Sequence, residues 1–375
     1  MRRVGSVLAA LVLLGGVVFA VLHKPSSGPQ LTVVKGLIGS EKREFFADPE
    51  VIAEFRAQGL QITPPDTVGS WRMTGTDLKG YDFAFPASLS PAQVISAKEK
   101  IPGEPVRPFY SPLVVIAHAS TAQVLRSNGL AAQQADTGVW TFKMDQYLAA
   151  VRADRTWQEL KDTAGHAELA GAVYLTTTDP ATSSSGALHL AAMSYLANER
   201  RVVSDAGGVA RVKDLVRKVT AMQGAQKVSS DEPFKDFLSG VGSPLVLVYE
   251  SQVAALTAHG GSTGDLVVLY PDTTVSSDHT VVGLSDAGRR MAELLRDNQK
   301  LRTLEAKFGF RPQADPAAFG RAVHDGAAAT GAAGAAASAG PVYAPDLSAA
   351  GVQQAPVPAA DVLDQLVEAA KGVKG

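Results

Sequence analysis

The densest set of side chains able to hold a small ligand is Thr182-Ser183-Ser184-Ser185-Gly186, directly ahead of an apolar run with helical spacing. Hydroxyls at a helix start sit beside backbone N–H groups that lack intrahelical partners, at the positive end of the helix dipole. Such a place favours an anion or a carboxylate. Gly186 would let a ligand come close to the backbone. Ordinary N-capping uses the same residue types, so the segment carries both readings. Gly39-Ser40, between a strand and a helical pattern, has the same double character. Ser70 and Trp71 stand in a loop where the indole would either cover one wall of a cleft or belong to a core. Tyr249 and Glu250 end an apolar strand. A carboxylate there would repel an oxyanion and welcome a cation or amine, or else serve a structural bond or a helix cap.

Other chemistry finds little support. Gly260-Gly261-Ser262-Thr263-Gly264 matches the Gly-x-Ser-x-Gly string. A nucleophile elbow needs a strand before the serine and a helix after it. Here a helical pattern precedes and a strand follows, so a loop is expected and a serine hydrolase is the weaker alternative. His118, His166, His189, His259 and His279 are scattered without helical ligand spacing, which does not suit zinc. Asp278-His279 reads as an exposed loop. The absence of cysteine excludes disulfides, thiolate chemistry, cysteine zinc sites and a lipidated cysteine anchor. No Walker-type loop or dinucleotide fingerprint is present. No cofactor, metal or enzymatic activity is therefore expected. With 375 residues and a net charge of −2 there is no basic footprint, so nucleic acid is not an expected partner.

These residues need elements to position them. Arg2 and Arg3 precede an uncharged apolar run from Val4 to Leu22, long enough to span a bilayer. Residues 1–23 are read as a transmembrane signal anchor with a cytoplasmic N-terminus, a cleaved signal being the alternative; either way the body is exported. Residues 24–30 (KPSSGPQ) form a linker. Beyond it, short apolar strands alternate with helical patterns: strands at 31–34, 60–63, 82–86, 112–117, 172–176, 244–249 and 266–270, helices at 41–58, 120–129, 145–161, 187–198, 209–223 and 285–298. That alternation implies an α/β class with parallel pairing. Ser285 is positioned to cap the last of these helices. Residues 326–358 are rich in Ala, Gly and Pro and are expected to be disordered or loosely draped. An amphipathic helix over 360–373 is expected to close the chain by packing on the body.

Several stretches, in this order, resemble the type 2 periplasmic solute-binding proteins, in particular the sulfate- and molybdate-type members. They are Val33 to Ser40 followed by Phe46-Ala47-Asp48-Pro49, the strand Asp82 to Ser88, Tyr110-Ser111-Pro112-Leu113-Val114-Val115, the turn Thr178 to Gly186, Pro244 to Ser251, Tyr270-Pro271-Asp272, and Gly309-Phe310-Arg311-Pro312. The match spans residues 31 to 312. It departs from the family in the alanine-rich segment, the missing lipobox cysteine and an incomplete oxyanion signature.

The resemblance implies a two-lobed α/β fold with two hinge strands. Lobe 1 would comprise residues 31–110 plus 250–312 and lobe 2 residues 111–249, with crossings at Ser111 and at Pro244–Ser251. It implies a monomer that holds a small molecule or anion between its lobes and presents it to the permease subunits of an ATP-binding-cassette (ABC) transporter. The ligand contacts would be Gly39, Ser40, Ser70, Trp71, Ser111, Ser183, Ser184, Ser185, Gly186, Tyr249 and Glu250. A membrane-tethered sensor or interaction module of the same fold is the alternative.

Overall fold

The computed structural model describes residues 31–329 and 340–372. The expected anchor and linker lie outside these residues. Among the described residues no helix is long and apolar enough to cross a membrane.

The strands are β1 (Thr32–Val34), β2 (Gly36–Ile38), β3 (Leu60–Ile62), β4 (Asp66–Thr67), β5 (Phe83–Phe85), β6 (Val106–His118), β7 (Ala131–Gln133), β8 (Trp140–Phe142), β9 (Val246–Tyr249), β10 (Leu266–Pro271), β11 (Thr273–Thr274), β12 (Ser276–Gly283), β13 (Arg311–Pro312) and β14 (Gln353–Gln354). The large sheet has ten strands in the order β4-β2-β5-β12-β6-β10-β8-β7, with β9 and β13 also paired to β6. Parallel β2–β5 and β8–β10 pairs are joined through antiparallel neighbours in its middle.

One strand organises the molecule. β6 runs for 13 residues. Its first part pairs with β12, from Val281↔Val106 to Ser276↔Pro112. Its second part pairs with β9, from Leu113↔Tyr249, and with β10, up to Leu266↔His118. The chain therefore passes from one half of the sheet to the other at Pro112–Leu113. It returns between Pro271 and Ser276, not at Pro244–Ser251. The reason is local: β9 is buried along its whole length and shares its β6 partners with β10. The chain must then turn through the helix Glu250–Ala258 and add β10 before it can leave.

Each half has apolar packing on both faces of its sheet. Phe45, Phe46, Phe55, Phe83, Phe85, Phe109, Met291 and Phe310 fill one face of the first half, and Leu37, Met73, Ile95 and Val282 the other. In the second half Trp140, Phe142, Tyr147, Trp157 and Leu188 fill one face, and Val114, Val246, Val253, Val268 and Tyr343 the other.

The expected helix over 41–58 is broken in two. Asp48 is extended, accepts bonds from Glu50 N and Val51 N, and starts a second helix at Pro49, which suits a first helical turn. Ser285 caps the helix Asp286–Asp297 through Gly288 N, as its position suggested. Residues 172–176 do not form a strand and contribute only isolated bridges.

The described part of the alanine-rich segment is packed, contrary to expectation. Tyr343, Ala344, Leu347, Ala350, Val352 and Ala355 are buried, and β14 pairs with β11. Sparse apolar residues suffice there because Arg311 also donates to the carbonyls of Ala344 and Pro345. The helix Ala360–Lys371 lays Val362, Leu363, Leu366 and Val367 on the second half's core.

Candidate functional site

Three chain reversals of the first half and one of the second converge between the halves. β2 ends at Gly39-Ser40, and β5 ends at Pro86-Ala87-Ser88 before the helix Leu89–Lys98. Gly69 leads into the helix Ser70–Gly75, and Ser183 leads into the helix Ser184–Ala197.

Across this convergence Ser88 Oγ and Ser184 Oγ lie 2.7 Å apart. Trp71 N donates to Thr182 O at 3.2 Å, and Ser40 Oγ to Ser229 Oγ at 3.4 Å. Gly69 permits the contact, since a Cβ there would stand 2.3 Å from Thr182 O. The halves thus meet through serine hydroxyls and backbone, with Ala87 and Trp71 of the first half packed on the second half's core.

The two readings of the serine-rich turn can be compared directly. Ser183 occupies the N-cap position but makes no side-chain cap bond. Its hydroxyl lies 3.2 Å from Ser185 Oγ, and Ser185 Oγ lies 2.7 Å from Thr178 Oγ1. Ser88, also an N-cap residue, likewise makes no cap bond and turns to Ser184 instead. Gly186 has a structural reason: its N–H donates to Thr178 Oγ1, and a Cβ would meet Thr178 O at 2.2 Å. The close approach is by Thr178.

Ser70 Oγ accepts from Ala87 N at 2.9 Å and so ties two of the first-half reversals together. Trp71 packs against the second half's core, with its indole N–H buried and unpartnered. Ser111, fully buried in β6, accepts from Ser251 N at 3.1 Å and joins the hinge strand to the helix Glu250–Ala258. Tyr249 is buried near Ser185 and Ser277; burial, with the Glu41 charge added, raises its pKa.

Glu250 presents no free charge to a ligand. Its oxygens receive Arg311 Nε at 2.7 Å, Arg311 Nη2 at 2.8 Å and the Tyr270 hydroxyl at 2.5 Å. This buried, bidentate pair anchors β13 to the start of the helix Glu250–Ala258, the structural bond that was one of the readings of Glu250. Ser262 lies in a loop between that helix and β10, an order no nucleophile elbow has.

Four participants carry no signal in the sequence analysis: Glu41, Lys42, Ser277 and His279. Asp278-His279 is not an exposed loop; it lies in β12, and His279 is fully buried among Phe85, Phe109, Tyr249 and Phe310. Lys42 is fully buried too, in contact with the Glu41 carboxylate and 3.1 Å from His279 Nδ1. Glu41 turns back over Gly39, where a Cβ would meet its Oε1 at 2.4 Å. Burial lowers the Lys42 pKa against the pull of Glu41, and burial plus Lys42 lowers that of His279. A carboxylate supplied by the chain thus covers the backbone at Gly39. Among the described residues no three His, Cys, Asp or Glu side chains converge as a metal site.

No protein-family model matches the chain, and no curated protein does. Its similarity is to solved structures. The sulfate-binding protein SubI from Mycobacterium tuberculosis H37Rv is 16% identical, with a TM-score of 0.50 over 80% of this chain and 91% of that one. The periplasmic molybdate-binding protein of Azotobacter vinelandii is 13% identical, with a TM-score of 0.44 over 74% and 98%. Iron-bound HitA from Pseudomonas aeruginosa is 9% identical, with a TM-score of 0.49 over 75% and 86%. The chain has the fold of the type 2 periplasmic solute-binding proteins, built as two halves on one shared strand.

Proposed function

We propose that this chain is an extracytoplasmic solute-binding protein that captures a small ligand between its halves and presents it to an ABC permease. The observation that carries the reading is the interlobe contact itself. Serine hydroxyls at helix starts, Ser88 and Ser184, face each other across it, and Ser88 forgoes the cap bond of its own helix to do so. Such hydroxyls can exchange one another for a ligand at small cost, because each donates or accepts as needed. The halves we propose are residues 31–112 with 272–312, and 113–271 with 340–372. A ligand that binds only when both faces touch it would favour the closed arrangement, and that difference is the signal a permease could read.

Gly39, Ser40, Ser70, Trp71, Ser111, Ser183, Ser184, Ser185 and Tyr249 stay in the proposed site or its immediate support. An oxyanion is favoured by the helix start at Ser184; it is disfavoured by the Glu41 carboxylate over Gly39. The apolar N-terminal run supports a body tethered outside the membrane. The self-satisfied hydroxyls also suit a second reading, a tethered sensor or interaction module without transport. Permease and ATPase genes beside this one would favour transport.

A thermal-shift screen of the full-length chain against oxyanions, sugars, amino acids and amines tests the proposal. A ligand at about 100 times its Kd should stabilise by about 2.7 kcal/mol and raise Tm by a few degrees. A panel without any shift would refute solute capture.

A further inference from the structure

Beside the serine contact, a cavity of about 490 Å³ runs between the halves. Glu41 and Glu44 line it from the first half and Asp231 from the second. Asp48 also faces it, but its carboxylate is committed to the helix start at Pro49. The cation on its wall is Lys235, whose side chain is 70% exposed and 4.0 Å from Asp231, a position where solvent screens it. Among the described residues Glu44 has no ion-pair partner, and Asp231 receives only the Gln252 amide at 3.1 Å. The rest of the wall is apolar, with Phe234, Leu256 and Phe308.

A second observation points to an occupant. Ser251 lines the same cavity, is 2% exposed, and its hydroxyl has no hydrogen-bond partner. A buried hydroxyl left unpaired costs free energy that a ligand would recover. Asp231 is in a related position: burial and the nearby Glu41 charge raise its pKa, so a positive charge in the cavity would relieve it.

We propose that this cavity takes an organic cation with an apolar body, an arylamine- or alkylamine-type ligand. Its ammonium sits between Glu41 and Asp231 with the Ser251 hydroxyl, and its hydrocarbon lies on Phe234 and Leu256. Glu41 is then the residue that sets ligand class: it balances the buried Lys42, which would otherwise leave a positive charge beside the cavity, and leaves Asp231 and Glu44 as the charges a cation meets. The inference rests on reading the space between the halves as a ligand site.

The test is isothermal titration of the full-length protein with phenethylamine, and with 2-phenylethanol as its uncharged counterpart. The amine should bind saturably and at least about tenfold tighter than the alcohol, a difference of ~1.4 kcal/mol. Asp231→Asn should remove most of that preference. Glu41→Gln should do the same, but it strips the buried Lys42 of its counter-charge and can fail to fold; Asp231→Asn, checked by circular dichroism, therefore carries the result. Amine and alcohol binding alike, no amine binding, or an undiminished preference in Asp231→Asn would each overturn the inference. If the amine fails while another solute in the thermal-shift panel stabilises the chain, only the cation assignment falls. If every solute fails, the solute-binding reading falls with it.

Discussion

Ser88 Oγ and Ser184 Oγ stand 2.7 Å apart, one at a helix start of each half, and neither caps its own helix. Ser88 holds a cap position and forgoes the bond, a cost of about 1 kcal/mol, whereas Ser184 is the first helical residue after the cap position at Ser183. Replacing Ser184 by Ala should cost the ligand-free protein only about 1 kcal/mol in urea unfolding. Affinity for the stabilising solute should fall about tenfold to a hundredfold, ~1.4–2.8 kcal/mol. Unchanged affinity would remove Ser184 from the site.

The buried pair Glu250–Arg311 should behave as a structural anchor. Arg311→Met leaves a carboxylate without its partner in the interior, and should destabilise the fold by about 3–5 kcal/mol. Changing both residues to Met should restore much of the loss, because the desolvation cost disappears with the charges. Urea unfolding of the two single variants and the double variant measures this. A double variant as unstable as the singles would mean that the bonds to Ala344, Pro345 and Tyr270 matter more than the charge balance.

Stability should also depend on pH in a direction the buried groups dictate. Burial lowers the His189 pKa to about 4. Between its ordinary value near 6.5 and about 4 the unfolded chain holds this proton and the native chain does not, so stability rises with pH across that window. The loss on acidification should approach about 3 kcal/mol for this group, and His279 shifts the same way. Glu305 has the opposite sign. Burial raises its pKa well above the ordinary carboxylate value, so its contribution is full at low pH and is lost as pH rises. Denaturation midpoints from pH 4 to 9 should form a dome, with His189→Met flattening the acid side and Glu305→Gln the alkaline side. A monotonic profile, or variants that leave both slopes intact, would contradict the burial of these groups.

What the sequence made legible follows from range. β9 and β10 are apolar on both faces and announce themselves as PLVLVY and LVVLY. β6 showed only its apolar second part, because residues 106–111 mix exposed and buried positions. β12 was invisible: Ser-Ser-Asp-His-Thr reads as loop, yet His279 is buried by pairing with Phe109, far away in sequence. The site divides in the same way. Ser40, Ser70 and Ser183 to Ser185 are local signals, hydroxyls ahead of helices. Glu41 and Lys42 look like an ordinary solvated pair, and only their contact with His279, 237 residues from Lys42, shows otherwise. The return crossing is hidden for a similar reason, since β9 and β10 flank the same part of β6 and that pairing is not written in either strand's own residues.

The central claim is closure of two halves around a solute, and small-angle X-ray scattering tests it most directly. Gly69→Ala is the control: φ at Gly69 is −59°, which alanine adopts freely, but its Cβ would strike Thr182 O across the interface. The account predicts that adding the stabilising solute reduces the radius of gyration of the native chain and leaves Gly69→Ala expanded. The same radius for both proteins, with and without solute, would contradict it.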